Sequence, residues 1–390
     1  MKVCLINNLY KPYNRGGTEV VVELIIQGLI KQDIEVVVIS TRPFFVKTPL
    51  ITDFKVKNYY LPSWCYNLSK LPIFIRLFWH LFDLFDFNIY CKVKNILKKE
   101  QPDVVITHNL KGLSYLLPKI IKKLKIKHLH YLHDIQLIHP SGLMFYGQEQ
   151  KNQKVLAKIY QAICQKLFNS PDIIISPSKW LLDYHKEQGF FLNSEKIVLA
   201  NPMLIPTNFV KSAKSNIFQF FYVGQIEEHK GIIFLLKIFN ELIKKTKQKI
   251  QLTVIGNGTK LAVVKKMISN NCVSFLGRLD RKEVIKHLVQ ADCLIVPSFC
   301  YENSPTVIYE AFSLGLPVIA SRIGGITELM KNSPEMLFEP GNKKELIDKM
   351  LWTLINKKEL TRMGQQELVV VKDFYLEKYL NKLLMLINKS

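Results

Sequence analysis

The chain has 390 residues, 48% of them hydrophobic, and carries 54 lysines and arginines against 32 aspartates and glutamates, a formal charge of +22. That length exceeds what one hydrophobic core fills, so two domains of ordinary size are predicted, and the apolar content is ample for two cores. No apolar run approaches the ~18 residues of a bilayer span, the opening V-C-L-I is too short for a signal peptide, and the seven cysteines form no C-x-x-C pair, which argues for reduced core thiols in a cytosolic protein rather than a zinc site or a disulfide framework.

The positive charge calls for an anionic partner: nucleic acid, an anionic membrane face or an anionic small substrate. Lys2 to Asn7 reads as a first strand and Val20 to Ile30 as an apolar helix, joined through N-L-Y-K-P-Y-N-R-G-G-T-E. The glycine pair Gly16-Gly17 at this strand-to-helix turn lets backbone approach a phosphate closely, although such a pair is commonly just a turn. Glu35 to Ser40 is a second strand.

The segment from Tyr59 to Tyr90 holds Trp64, Tyr66, Phe74, Phe78, Trp79, Phe82, Phe85 and Phe87. On a helix at ~100° per residue, Arg76, His80, Asp83 and Asp86 share about a third of the circumference and the rest is apolar. So wide an apolar face must be covered, either by the first domain or by a membrane interface. Ten lysines follow between Lys92 and Lys127, against only Glu100 and Asp103. They read as a solvated face or, beside the aromatic helix, as a partner for anionic headgroups.

P-D-V-V-I-T-H-N-L is a strand ending in His108-Asn109, and His128 to Asp134 is another, ending in His133-Asp134. This last pair is either structural or able to orient a hydroxyl; His139 has no such support. Ile173 to Ser176 is the first domain's last clear strand, and Glu195 to Lys214, with two prolines and no periodicity, reads as the linker.

Gln219 to Val223 opens a second α/β unit, followed by Gly224, a charged loop with Gln225 and Lys230, and a helix from Ile232. Leu252 to Ile255 leads into Gly256-Asn257-Gly258, and Ser274 to Gly277 into Arg278. Cys293 to Val296 is a short buried strand ended by Pro297, and its loop carries Glu302. Ser304-Pro305 reads as the N-cap and first residue of a helix that stops near Gly315. Leu316 to Ala320 is the next strand, and Gly324-Gly325 opens another loop before Glu328.

In an open α/β sheet, ligands sit beyond the carboxyl ends of the strands, so Glu302 and Glu310 are predicted to face one cleft. The backbone N–H groups of Asn303, Ser304 and Thr306, around Pro305, stand at a helix start that suits an anion. Glu310 can accept two hydrogen bonds from a vicinal diol.

With seven residues between its glutamates, E-N-S-P-T-V-I-Y-E-A-x3-G-x-P-V-I-A-x3-G-G-x2-E resembles the signature of the retaining glycosyltransferases of family 4, the glycosyl transferases group 1. The resemblance implies a GT-B fold of two doubly wound Rossmann-like domains facing across a cleft. Residues 1–205 would bind the acceptor, 206–372 the nucleotide sugar, and 373–390 would form a helix returning to the first domain. It also implies transfer of a sugar from a nucleotide diphosphate sugar to an acceptor, with retention at the anomeric carbon.

On this resemblance Lys230 meets the donor diphosphate, Glu302 the sugar hydroxyls and Glu310 the ribose, and His133 lines the sugar site. Gly16, Gly17, Gln225, Gly256, Arg278, Asn303, Ser304, Pro305 and Thr306 surround the donor; His108, Asn109 and Asp134 lie on the acceptor side. No H-E-x-x-H or D-x-D metal motif appears, so neither metal nor cofactor is expected and Lys230 and backbone N–H groups must neutralise the leaving group. The family usually has arginine where this chain has Gln225; Arg15 or Arg278 is expected to compensate, and an inactive sugar-nucleotide-binding scaffold is the non-enzyme alternative.

Lysines and aromatics together favour a lipid-linked or cell-surface polysaccharide or lipopolysaccharide precursor as acceptor, with peripheral contact to an anionic membrane at its cytoplasmic face. A soluble acceptor or a same-fold sugar-nucleotide epimerase is the alternative. Nucleic acid is disfavoured, since no recognition helix, zinc finger or RNP-like strand accompanies the lysines.

Overall fold

A computed structural model describes residues 1–14, 16–46, 56–70, 72–205, 216–268 and 271–389. Arg15 and residues 206–214 of the expected linker lie outside them. The chain divides into two compact units, one of Met1–Leu143, Gln150–Pro202 and Leu376–Ser390, the other of Met144–Glu149 and Met203–Tyr375.

The first unit is built on a seven-stranded sheet, β1 (Lys2–Ile6), β2 (Glu35–Pro43), β3 (Val56–Ser63), β4 (Val104–Thr107), β5 (Lys127–Tyr131), β6 (Ile173–Ser176) and β7 (Glu195–Val198). Their order is β3-β2-β1-β4-β5-β6-β7, with all neighbours parallel. Runs such as V-C-L-I, V-V-I-T and I-I-I-S are buried on both faces, as strands covered by helices on either side must be. The order reverses between β1 and β4, and that switch point is where the carboxyl ends open a crevice. Glu195–Val198, placed in the linker by its lack of periodicity, is the edge strand β7; four residues are too few for a pattern to show.

The C-terminal helix Leu376–Asn388 packs on the helix Gly17–Lys31 through Tyr379, Leu380, Leu383 and Ile387, and Gly28 leaves room for Leu380. The segment Met144–Glu149, which the sequence reading keeps in the first domain, belongs to the second unit. There Phe145 forms an antiparallel bridge with Cys300, and Tyr301 Oη donates to Glu149 Oε1 at 2.9 Å.

The aromatic segment is not one helix. It begins in β3, passes through a 3-10 turn at Trp64–Lys70, and continues as two helices, Ile73–Leu84 and Phe87–Glu100. Asp86 separates them and caps the second by accepting from the Ile89 amide at 2.9 Å. The helix Ile73–Leu84 is inverted: its polar stripe faces inward. Asp83 is 6% exposed and both its oxygens accept from the Gly112 amide, at 2.8 and 2.9 Å, while Phe82 is 75% exposed beside exposed Phe78, Leu81, Phe85 and Phe87. Among the described residues, nothing of the first unit covers these side chains.

The lysines also separate in space. Lys119, Lys122, Lys125 and Lys127 line an open pocket with Asp172 and Glu195 at the amino ends of β5, β6 and β7. Lys111, by contrast, lies in the loop beyond the carboxyl end of β4, next to the Asp83 contact. Among the described residues no helix is long and apolar enough to cross a membrane.

The second unit repeats the plan with β8 (Phe218–Val223), β9 (Ile250–Ile255), β10 (Val273–Gly277), β11 (Cys293–Val296), β12 (Val318–Ser321) and β13 (Leu337–Phe338), ordered β10-β9-β8-β11-β12-β13 and all parallel. Its switch point lies between β8 and β11, the strands whose loops carry Lys230 and Glu302.

Candidate active site

Two loops of the second unit converge at that switch point. Lys230 closes a short 3-10 turn, Glu228–Lys230, after β8, and Glu302 lies in the loop after β11. The Phe299 amide donates to the His229 carbonyl at 2.8 Å, joining the loops through their backbones. Gly231 follows at φ +73, where a Cβ would stand 1.8 Å from the Pro297 carbonyl oxygen. Gly324, at φ +55, seats its α-carbon against Glu302, and the next amide, Gly325, donates to the Glu302 carbonyl at 2.8 Å. Only glycine fits either place.

Lys230 Nζ donates to Glu302 Oε1 at 2.6 Å. Ser298 Oγ donates to the same oxygen at 2.8 Å, and Cys300 Sγ lies 3.7 Å from it. Burial alone would raise the Glu302 carboxyl, but the ammonium beside it and the Ser298 hydroxyl hold it below the usual range. Burial would likewise lower Lys230, and the charge of Glu302 reverses this and raises it. Both groups are therefore charged at neutral pH.

The helix carrying Glu310 spans Thr306–Ser313 and has Pro305, not Ser304, at its N-cap position. The Ser304 hydroxyl meets Tyr309 Oη at 2.5 Å, so no side chain caps the first turn. Glu310 is buried, and its Oε1 pairs with Arg281 Nε at 3.1 Å. Burial raises this carboxyl despite the guanidinium, which pulls it down. Gln225 is exposed, and its carbonyl accepts from Tyr222 Oη at 2.7 Å. Arg278 is exposed, and the Gly256 amide donates to the Gly277 carbonyl at 2.8 Å.

In the first unit, His108 and His133 meet at 2.8 Å, His108 Nδ1 to His133 Nε2, with both rings stacked on Tyr131. Burial pushes His133 down to about 3 and His108 well below its ordinary value, so both are neutral. Among the described residues His108 Nε2 is buried without a partner. An orphaned acceptor is tolerated better than an orphaned N–H, which assigns the proton to His108 Nδ1 and leaves His133 protonated on Nδ1. Asn109 stitches the crevice floor, its amide donating to Asn7 Oδ1 at 3.1 Å and its carbonyl accepting from the Asn8 amide at 2.8 Å. Asp134 accepts from the Gln136 amide at 2.7 Å and anchors its own loop. At the helix Gly17–Lys31, the Gly16 amide donates to Glu19 Oε2 at 2.5 Å.

The model of the Glycosyltransferase Family 4 matches residues 15–202 and that of the Glycosyl transferases group 1 matches residues 205–368. The chain belongs to the family 4, group 1 glycosyltransferases. An uncharacterised 42.6 kDa protein in the cps region of Klebsiella pneumoniae is 28% identical over 87% of this chain and 90% of its own length. The lipopolysaccharide 1,2-N-acetylglucosaminetransferase of Salmonella typhimurium is 26% identical over 54% of the chain and 60% of its own length. Among solved structures, Anabaena Alr3699/HepE in complex with UDP and glucose has a TM-score of 0.74 at 16% identity, with 100% of both chains covered. The apo lipopolysaccharide outer core galactosyltransferase WaaB has a TM-score of 0.65 at 18% identity, covering 99% of both. These likenesses show the GT-B fold, and the protein is a glycosyltransferase with relatives in polysaccharide and lipopolysaccharide biosynthesis.

Within this glycosyltransferase, Lys230 and Glu302 come together as a pair and His108 and His133 as another. Ser298, Cys300 and Arg281 touch the two glutamates and were not singled out from sequence. Ser298 stands directly after the strand-ending proline, which is the one signal that it would reach the loop glutamate. Arg281 is far in sequence from Glu310 and carries no such signal.

Proposed function

We propose that this glycosyltransferase retains anomeric configuration, moving a sugar from a nucleotide diphosphate sugar to a lipid-linked or cell-surface glycan precursor. The observation that carries the reading is the Lys230–Glu302 pair at the switch point, one cation and one acceptor within 2.6 Å. Charge builds on the diphosphate as the glycosidic bond breaks, so a cation fixed there stabilises the transition state more than the ground state. Glu302 accepts from sugar hydroxyls, and the uncapped amides that open the Glu310 helix add a partial positive charge. Glu310 takes the ribose, and His133, protonated on Nδ1, donates to a sugar oxygen. The departing phosphate oxygen takes the acceptor's proton on the same face. No metal is required in this reading, and Lys230 and backbone amides carry the neutralisation that Gln225 does not supply.

The solved relative with UDP and glucose bound supports a nucleotide sugar as donor. The inverted aromatic helix supports a membrane-borne acceptor reached from the cytoplasmic face, since an outward row of phenylalanines suits an interface rather than water. The test is nuclear magnetic resonance of the anomeric carbon during turnover of UDP-, GDP- and ADP-sugars with extracted membranes. A product with the donor's configuration, absent with Glu302→Ala, supports the reading. An inverted product or an active Glu302→Ala enzyme overturns it.

A further inference from the structure

We infer that Arg281 is a positioning residue for donor recognition, fixing the Glu310 carboxylate so that the site selects a ribonucleotide over its 2′-deoxy counterpart. The inference rests on the assignment of Glu310 to the ribose.

The geometry is specific. Arg281 Nε stands 3.1 Å from Glu310 Oε1, joining two helices that follow different strands, β10 and β11. The single Nε contact ties one carboxylate oxygen to a planar guanidinium held on another helix, and so limits where that oxygen can sit. The second oxygen and the remaining lone pairs of the first stay available to a diol.

Arg281 also breaks a local rule. It is the first residue of the helix Arg281–Leu288, whose N-cap Asp280 accepts from the Glu283 amide at 2.9 Å. Cations are disfavoured at that end of a helix, so the arginine gains nothing there from its own helix. Its ion-pair partner among the described residues is Glu310, which is buried, and a buried carboxyl group is costly without a polar partner. An oriented acceptor is what recognition of two hydroxyls needs, and a site built to bond a hydroxyl rejects the analogue lacking it.

The experiment is calorimetric titration of UDP, GDP and ADP and their 2′-deoxy forms into wild type, Arg281→Ala, Arg281→Lys and Glu310→Gln, with donor KM and kcat measured alongside. The expected wild type prefers the ribonucleotide by at least ~10-fold. Glu310→Gln and Arg281→Ala bring the ratio to within about threefold of unity, Arg281→Lys restores part of it, and donor KM rises while kcat changes little. Ribo and deoxy affinities that fall in parallel in Arg281→Ala would reduce the arginine to a structural role and overturn the inference. A ratio unmoved by Glu310→Gln would instead remove the ribose assignment. Failure of all three nucleotides to bind wild type would overturn both.

Discussion

Lys230 Nζ and Glu302 Oε1 stand 2.6 Å apart on loops that leave the two central strands of the second sheet. Each holds the other charged in a half-buried place, so removing either leaves a partly desolvated ion without its partner. Lys230→Ala should lower kcat by ~10²–10³-fold, the scale for losing one fixed donor to a developing anion. Steady-state turnover with a saturating donor checks this, and a loss below about threefold would detach Lys230 from the leaving group.

Gly231 and Gly324 set the approach of those loops. A methyl at Gly231 would stand 1.8 Å from the Pro297 carbonyl oxygen and one at Gly324 would stand 2.4 Å from that of Glu302, each at a positive φ. Gly324→Ala should therefore cost about 1–3 kcal/mol of stability from backbone strain, and more than ~10-fold in activity from displacement of Glu302. Thermal unfolding and turnover of the same preparation check both, and a fully active, equally stable variant would contradict the packing.

Asp83 gives a pH signature. Burial pushes its carboxyl up to about 7, against the Gly112 amide and the Lys111 charge, which lower it. That value exceeds the ~3.9 of an unfolded aspartate, so the folded chain holds the proton more tightly. The associated stability is complete below ~4 and is lost as pH rises through about 7. Asp83→Asn keeps an acceptor for Gly112 and cannot ionise. Between about pH 5 and about pH 8 it should gain on wild type by on the order of 1–3 kcal/mol. Unfolding curves at both values check this, and a constant offset would contradict it.

The outward phenylalanines give a membrane signature. Phe78→Asp with Phe82→Asp should cut sedimentation with phosphatidylglycerol vesicles by ~10-fold or more, with stability within about 0.5 kcal/mol because both side chains are already exposed. Unchanged sedimentation would separate this helix from lipid binding.

Much of this was legible in the residues. β11 begins and ends where its apolar run and proline place it, the strand-loop-helix pattern brought out the loop and helix glutamates, and the family resemblance gave those two and the lysine their expected roles. The Ser304 cap failed because its hydroxyl found Tyr309, a side-chain partner that spacing alone does not show. The aromatic segment was read as one helix whose stripe holds for Arg76, His80 and Asp83 but not for Asp86, which caps the next helix, and with no means of telling which side faces in. An inward Asp83 is fixed by the Gly112 amide, 29 residues away, and periodicity carries no information about such contacts. Arg281 was missed for the same reason, because its meaning lies in a carboxylate on another helix.

The most direct measurement is calorimetric titration of UDP, GDP, ADP and TDP into wild type and Lys230→Ala. A donor diphosphate held at the switch point predicts saturable binding of one nucleotide by wild type, weakened at least ~10-fold in the variant, the worth of a charge-assisted hydrogen bond. Equal binding by both proteins, or binding of none of the four, would contradict the placement of the donor diphosphate against Lys230.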